Sequence, residues 1–165
     1  MVRGVPVSLQ SPVGSDHQLA RLLQIGVVLE EVVEARATKH AREADAVDAD
    51  VRAFLEDAAA ESADHRDRLE ALIDELEAET IPFEEIETLV EEQYEADGDF
   101  DGVLYDQLCN EETAYKFYDD LIAAIETSEA TFGVDRERLI AVLSEIRAEE
   151  ATGVEDVAEL MEGRE

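Results

Sequence analysis

The apolar residues of this chain recur every three or four positions over long stretches, which is the period of one face of an α-helix. The first stretch starts where Ser15 and Gln18 have the spacing of an N-terminal capping box. It predicts a helix over residues 15–43. Its predicted inward face consists of Leu22, Ile25, Leu29, Val32, Val33 and Arg36.

Three further stretches have the same period and predict helices over residues 50–78, 102–129 and 135–161. The predicted inward face of the second helix is Val51, Phe54, Leu55, Ala58, Ser62, His65, Leu69, Leu72 and Leu76. That of the third is Leu104, Leu108, Glu111, Tyr115, Tyr118 and Ile122. That of the fourth is Leu139, Leu143, Ile146, Glu150, Gly153, Val157 and Leu160. The predicted interior therefore contains ionisable residues.

The segment between the second and third helices is much longer than the other connections. Pro82 can occupy the first turn of a short helix reaching about residue 95, and a loop rich in Asp and Gly follows. This loop lacks the ligand spacing and the final Glu of an EF-hand. The sequence predicts an arm over residues 1–14 and one domain over 15–165. That domain is an all-α, antiparallel four-helix bundle with one long crossover between helices 2 and 3.

The charge of the chain is extreme, with a formal net charge of −31. The acidic residues recur along the helices instead of forming one block, and the basic residues are almost all Arg, with Lys only at positions 39 and 116. This composition resembles that of proteins from salt-in halophilic archaea, in which high salt screens the repulsion between surface carboxylates. The same charge argues against nucleic acid or an anionic membrane as a partner.

The cysteine count and the apolar content exclude further classes of protein. Cys109 is the sole cysteine, so the chain cannot form an intrachain disulfide or a cysteine-based zinc site. No apolar run approaches the ~20 residues of a membrane span, and the first residues lack the apolar core of a secretory signal. We therefore expect a cytoplasmic protein.

Candidate chemistry comes from the ionisable residues on the inward faces, above all His65, Glu111 and Glu150. Burying such groups costs several kcal/mol each unless they find a partner. A divalent metal ion shared between the carboxylates would offset this cost. Ion pairs could also offset it, and Arg36 on the first helix is an available partner.

The segment EETAYKFY, residues 111–118, resembles the third helix of rubrerythrin and other ferritin-like proteins. That family uses one Glu from each of two helices and a Glu-x-x-His motif from each of the other two. The resemblance covers residues 15–162. It implies that Glu111 is a metal ligand and that Tyr118 is a partner of the ligands.

The other three helices depart from the family pattern. Gly153 stands where the fourth helix should carry a His, and Ser62 replaces the Glu that should precede His65. On the first helix, the apolar spacing puts Val32 at the ligand position. Carboxylates at neighbouring positions that could replace the missing ligands are Glu30, Glu34 and Glu61. His40 lies on the inward stripe and is either a ligand or a core histidine.

The resemblance implies a ferritin-like protein with an incomplete metal site. The ion would be iron, manganese or zinc, and one ion is expected more than two because the expected ligand set is incomplete. If the protein is catalytic, the family implies iron oxidation or peroxide reduction with an external electron donor. The alternative is a metal-free, non-catalytic module with a structural or interaction role. The resemblance implies a homodimer in either case.

Overall fold

The computed structural model describes residues 13–43, 49–76 and 103–162. Within these ranges the chain forms four helices and no strand, which confirms the all-α prediction. The helices are α1 (Asp16–Glu43), α2 (Ala49–Asp74), α3 (Val103–Glu126) and α4 (Arg136–Glu162). The predicted short helix after Pro82, the loop that follows it and residues 1–12 of the predicted arm lie outside the described residues.

Two of the helix starts have side-chain caps, and the first of them is the one that the sequence predicts. The Oγ of Ser15 accepts a hydrogen bond from the backbone N of Gln18 at 3.1 Å, and the Gln18 side chain accepts one from the N of Gly14 at 2.6 Å. At the start of α4, Oδ2 of Asp135 accepts a hydrogen bond from the N of Arg138 at 3.1 Å. These bonds satisfy amides that a helix cannot pair internally.

The helices pack as an all-α bundle, since each one contacts two others: α1 with α2 and α3, and α4 with α2 and α3. One large apolar cluster includes residues from all four helices, among them Leu23, Leu69, Leu121 and Leu143. A smaller cluster joins α1 to α2 and is built mainly from alanine, valine and leucine. None of the described helices is both long enough and apolar enough to cross a bilayer.

The second half of the predicted inward face of α1 is buried as expected, at Val32, Val33 and Arg36, whereas the first half differs by about one residue. Leu22, Ile25 and Leu29 are half-buried at the flank, whereas Leu23, Val27 and Glu30 point into the interior. The cause is Gly26, where a Cβ would lie 3.1 Å from a Leu69 methyl carbon and 3.2 Å from the Phe117 ring. Because the missing side chain lets α1 approach its neighbours closely, the face around Gly26 is buried in place of the larger apolar residues.

The buried face of α3 also differs from the prediction. Tyr115, predicted to point inward, is 38% exposed, and Leu104 and Leu108 are only half-buried. Polar residues occupy the interior in the first half of the helix: Asp106, Gln107, Asn110 and Glu111. Apolar spacing alone misplaced the start of this face because the first four of its eleven buried positions are polar.

Three segments meet at Gly133, in the connection between α3 and α4. Its backbone N donates to both carboxylate oxygens of Asp16, at 3.0 and 3.1 Å. A Cβ at this glycine would lie 2.9 Å from the carbonyl oxygen of Glu75, at the end of α2. The connection, the first turn of α1 and the end of α2 are therefore in direct contact at one end of the bundle.

Candidate metal centre

Glu30 is the residue of α1 that belongs to the candidate ligand groups. Its side chain is 0% exposed, and the hydroxyl of Tyr118 on α3 donates to Oε2 of Glu30 at 2.5 Å. Burial, together with the nearby charge of Glu30, raises the pKa of Tyr118 well above its usual value. Tyr118 therefore keeps its proton and serves as a fixed donor that orients the Glu30 carboxylate.

His65 is the only imidazole near Glu30 in the described part of the chain, and its two ring nitrogens contact different carboxylates. Its Nδ1 lies 3.5 Å from Oε2 of Glu30 and 3.4 Å from Oε2 of Glu150. Its Nε2 lies 2.7 Å from Oε1 of Glu149. The ring of His65 is thus placed between two carboxylates inside the bundle and one nearer the surface.

Glu111 of α3 and Glu150 of α4 complete the buried part of the cluster, and Gly153 makes room for the first of them. A Cβ at Gly153 would overlap Oε2 of Glu111 and lie 2.6 Å from its Cδ. The carboxylate of Glu111 therefore occupies the space that any larger residue at position 153 would fill.

Three groups of side chains, each offering ligand atoms within 4.8 Å of one another, overlap at this place. They are Glu30, His65 and Glu150; Glu61, Glu111 and Glu150; and Glu61, His65 and Glu149. We call Glu30, Glu61, His65, Glu111 and Glu150 the metal cluster. Carboxylate oxygens with an imidazole nitrogen suit divalent iron, manganese and zinc, so this buried cluster could hold a metal ion.

The metal cluster contains more acidic than basic groups, and the pKa values of four of these groups are raised. Burial raises the pKa of Glu61 to about 7, and it raises the pKa values of Glu111 and Glu150 as well. Burial alone would lower the pKa of His65, but the close contacts with Glu150 and Glu30 and the negative charge of these residues outweigh it and raise that pKa to about 11. Without a metal ion, the cluster therefore retains protons at neutral pH.

Several ligand atoms of the cluster have no hydrogen bond. Within the described residues, Oε1 of Glu30, Nδ1 of His65 and Oε2 of Glu150 are buried and make none. A buried polar atom without a partner costs about 1–3 kcal/mol, and more when it is charged. The cluster is thus a place where an additional positive group would be stabilised.

The structure brings five of the six sequence candidates into the metal cluster, and the sixth, Glu34, lies elsewhere. Glu34 pairs with Arg66, which also contacts Glu31 at 3.1 Å. His40 is separate too, with its Nε2 3.2 Å from Oδ2 of Asp106. Tyr118 donates a hydrogen bond to Glu30, and its role as a partner of metal ligands stays a prediction.

A second buried polar group lies at the same α1–α3 interface but outside the metal cluster. The Nη1 of Arg36 donates to Asn110 at 3.1 Å and to Asp106 at 3.3 Å, and His40 contacts the other oxygen of Asp106. We call Arg36, His40, Asp106 and Asn110 the arginine network. The sequence offered Arg36 as a partner for the candidate ligands, whereas in the structure Arg36 contacts Asp106 and Asn110.

Sequence reasoning missed Glu149. It precedes Glu150 and therefore lies about 100° round α4, off the predicted inward stripe. It reaches His65 because α2 and α4 are in contact and the glutamate side chain is long. Its contact depends on a helix pairing that the spacing of residues within one helix does not reveal.

Comparisons with protein-family models, with curated proteins and with solved structures found no match for this chain. The ferritin-like resemblance of residues 111–118 therefore stays a prediction from the sequence. Any functional interpretation has to rest on the geometry and charge of the clusters described above.

Proposed function

We propose that this chain is a ferritin-like metal-binding protein that holds a divalent ion, such as iron or manganese, in the metal cluster. The observation that carries the proposal is the excess of buried carboxylates over buried cations, combined with ligand atoms that have no hydrogen-bond partner. His65 is the sole basic residue among the ligand groups that converge there.

The electrostatic argument compares two ways of neutralising the carboxylates. Protons can do so, and the raised pKa values of Glu61, Glu111 and Glu150 describe that state. A divalent ion supplies two positive charges and also accepts the unpartnered oxygens as ligands. Binding of a divalent ion offsets the desolvation cost of the carboxylates and also gives their oxygens a partner. It therefore accounts for more of the geometry than protonation does.

The arrangement offers two ion positions that share Glu150. Glu30, His65 and Glu150 form one, and Glu61, Glu111 and Glu150 form the other. The sequence favoured one ion because Val32, Ser62 and Gly153 stand at expected ligand positions. Glu30 and Glu61 supply carboxylates from neighbouring positions, and Glu111 uses the space above Gly153, so we now propose room for two.

The order of the contacts along the helices supports the ferritin-like topology. Along α3 and α4, Glu111 is next to Gly153, and Asp119 pairs with Arg147 at 2.8 Å, so residue numbers rise in one helix as they fall in the other. The contacts of His65 with Glu149 and of Glu75 with Arg138 show the same order for α2 and α4. This is the pattern that antiparallel neighbours give.

The ends of α2 and α3 support the proposed crossover. The last turn of α2 lies near Arg138, whereas Val103 and Leu104 at the start of α3 pack against the smaller apolar cluster, which includes Val51 near the start of α2. These contacts support a chain that leaves α2 at one end of the bundle and starts α3 at the other. A ferritin-like bundle with one long connection has this arrangement.

The chain's own residues would prepare the ligands in two ways. Tyr118 holds the Glu30 carboxylate by a hydrogen bond, and Glu149 accepts a hydrogen bond from Nε2 of His65. The second contact favours the tautomer whose Nδ1 lone pair faces Glu30 and Glu150. A bound redox-active ion would add one-electron chemistry to a site that these residues keep in position.

Metal analysis of protein purified in high salt without a histidine tag tests the proposal. Wild-type protein is stripped of metal, loaded with ferrous iron or Mn²⁺ without oxygen, and dialysed before the metal content per chain is measured. We expect bound metal in the wild type and its loss in Glu30→Gln. The matched control is Glu34→Gln, one turn along α1, which should bind as the wild type does. A wild type that retains no metal would overturn the proposal.

A specific observation also favours a second candidate, the metal-free and non-catalytic module. The pKa of His65, raised to about 11, describes an imidazolium that pairs with Glu30 and Glu150 and replaces part of the missing positive charge. In that case the bundle would be a structural or interaction protein, such as a homodimer. The same metal analysis decides between the two candidates.

A further inference from the structure

The group formed by Glu61, His65 and Glu149 differs from the other two ligand groups in its access to solvent. The side chain of Glu149 is 37% exposed, whereas those of Glu30 and Glu150 are 0% and 3% exposed. Glu61 is half-buried. A cation that approaches between α2 and α4 would therefore meet Glu149 before it meets the buried ligands.

His65 connects this outer group with the interior. Its Nε2 lies 2.7 Å from Glu149, and its Nδ1 faces Glu30 and Glu150 on the other side of the ring. A neutral imidazole binds a metal through one nitrogen while the other carries the proton. His65 can thus serve as a ligand on the outer side or on the inner side, but not on both at once.

We infer that Glu61, Glu149 and Nε2 of His65 form an outer site for a divalent cation, through which the ion reaches the metal cluster. The inference rests on the proposed function, because the metal cluster is the destination. Glu61 belongs to the outer group and also to the inner group with Glu111 and Glu150, so an ion can keep Glu61 as a ligand while it exchanges Glu149 and Nε2 of His65 for inner ligands. The route ends at the buried atoms of Glu30, His65 and Glu150 that make no hydrogen bond.

Glu149 has two roles in this scheme, in succession. It first binds the incoming ion together with Glu61. When the ion moves to Nδ1 of His65, the proton of that nitrogen is released to solvent, and Nε2 takes up a proton from solvent and donates it to Glu149 in the hydrogen bond that the structure contains. The carboxylate then holds the ring in its metal-binding orientation.

Arg68 occupies the outer side of Glu149. One of its terminal nitrogens lies 3.5 Å from Glu149 and 2.7 Å from Asp64, and the other lies 3.4 Å from Glu145. Its guanidinium is a cation already held at this position by the same carboxylate. It therefore competes with an incoming ion, and its removal should make Glu149 more available.

The test measures the rate and the extent of Co²⁺ uptake separately, in high salt, by stopped-flow absorption of the bound ion. The variant is Glu149→Gln, which removes the charge but keeps an oxygen that can accept from Nε2 of His65. The matched control is Glu145→Gln, which removes a charge from the same helix and contacts the same Arg68. Far-UV circular dichroism verifies that both variants are folded.

We expect Glu149→Gln to bind as much Co²⁺ as the wild type but about tenfold more slowly. Glu145→Gln should load at the wild-type rate, and Arg68→Gln should load faster. Loading of Glu149→Gln at the wild-type rate would overturn the outer site, and so would a loss of bound Co²⁺ as large as that in Glu30→Gln. If the wild type binds no Co²⁺ and no other divalent ion, the proposed function itself fails, which is a different result.

Discussion

The metal cluster and the arginine network are both buried, both lie partly between α1 and α3, and both contain a histidine. They differ in charge balance. Arg36 provides the arginine network with a permanent positive charge next to Asp106, and Asn110 adds hydrogen bonds to both. The metal cluster has His65 alone against four buried or half-buried carboxylates. Under the proposed function, the excess of carboxylates around His65, and not the buried histidine by itself, distinguishes the metal cluster from the arginine network.

The largest expected effect comes from breaking the arginine network with Arg36→Met. The substitution leaves Asp106 buried without its guanidinium, which typically costs about 3–5 kcal/mol in the free energy of unfolding. Denaturant unfolding of the metal-free protein measures it. The control is Arg147→Met, whose partner Asp119 is exposed and whose loss should cost less than about 1 kcal/mol. Equal costs for the two variants would show that the network is not the self-balanced pair described here.

The next effect concerns the room that Gly153 leaves in the metal cluster. In Gly153→Ala the added methyl overlaps the Glu111 carboxylate and displaces it. We expect Co²⁺ affinity to fall about 10- to 100-fold, as measured by competition with a chelator. Gly26→Ala is a second tightly packed helical glycine and should change stability with little change in affinity. Unchanged affinity in Gly153→Ala would mean that Glu111 is not a ligand.

A smaller effect is the pH dependence of the metal-free protein. Burial raises the pKa of Glu61 from 4.5 to about 7, so the folded state binds more protons than the unfolded state in this range. Stability is then lost as the pH rises through that window, and the raised pKa of His65 continues the loss at higher pH. Since Glu61 is partly solvated, we expect its share to be about 1–2 kcal/mol. Urea unfolding across this pH range should show a flatter profile for Glu61→Gln, and an identical profile would contradict the assignment.

The smallest expected effect is that of a substitution at Glu34, which lies at the boundary of the metal cluster on α1. Glu34 lies one turn from Glu30, but its partner is the half-buried Arg66, which keeps Glu31 as a second partner. We expect Glu34→Gln to change the free energy of unfolding by less than about 1 kcal/mol, as measured by denaturant unfolding. A larger cost would place Glu34 in a tighter network than its contacts indicate.

The helices could be predicted from the sequence because their apolar positions keep one period over more than twenty residues each. The buried face of the first half of α1 could not, because Gly26 and Glu30 face the interior while the bulkier Leu22 and Leu29 lie at its flank. An apolar pattern does not count glycine or glutamate as core residues, so it predicts that both lie at the surface. Their burial is decided by how closely the neighbouring helices approach.

The candidate ligands also divide into those that the apolar pattern identifies and those that it does not. His65, Glu111 and Glu150 were found because each lies on the stripe of its own helix. Glu61 was placed by the sequence about 100° from the stripe, and the structure nevertheless brings it near Glu111 and Glu150. A glutamate side chain is long enough to reach a centre from beside the buried stripe. Its position becomes clear only once the helices are assembled.

The junction at Gly133 has a consequence for the kinetics of folding. It joins Asp16 to a residue 117 positions later in the chain and also contacts Glu75, so it forms only when segments distant in sequence have come together. Contacts of this kind are costly in chain entropy before they are made. If they form after the transition state, Asp16→Ala should speed unfolding and leave the folding rate almost unchanged, which stopped-flow measurements against denaturant would reveal. The junction would then act as a latch that sets the lifetime of the folded bundle.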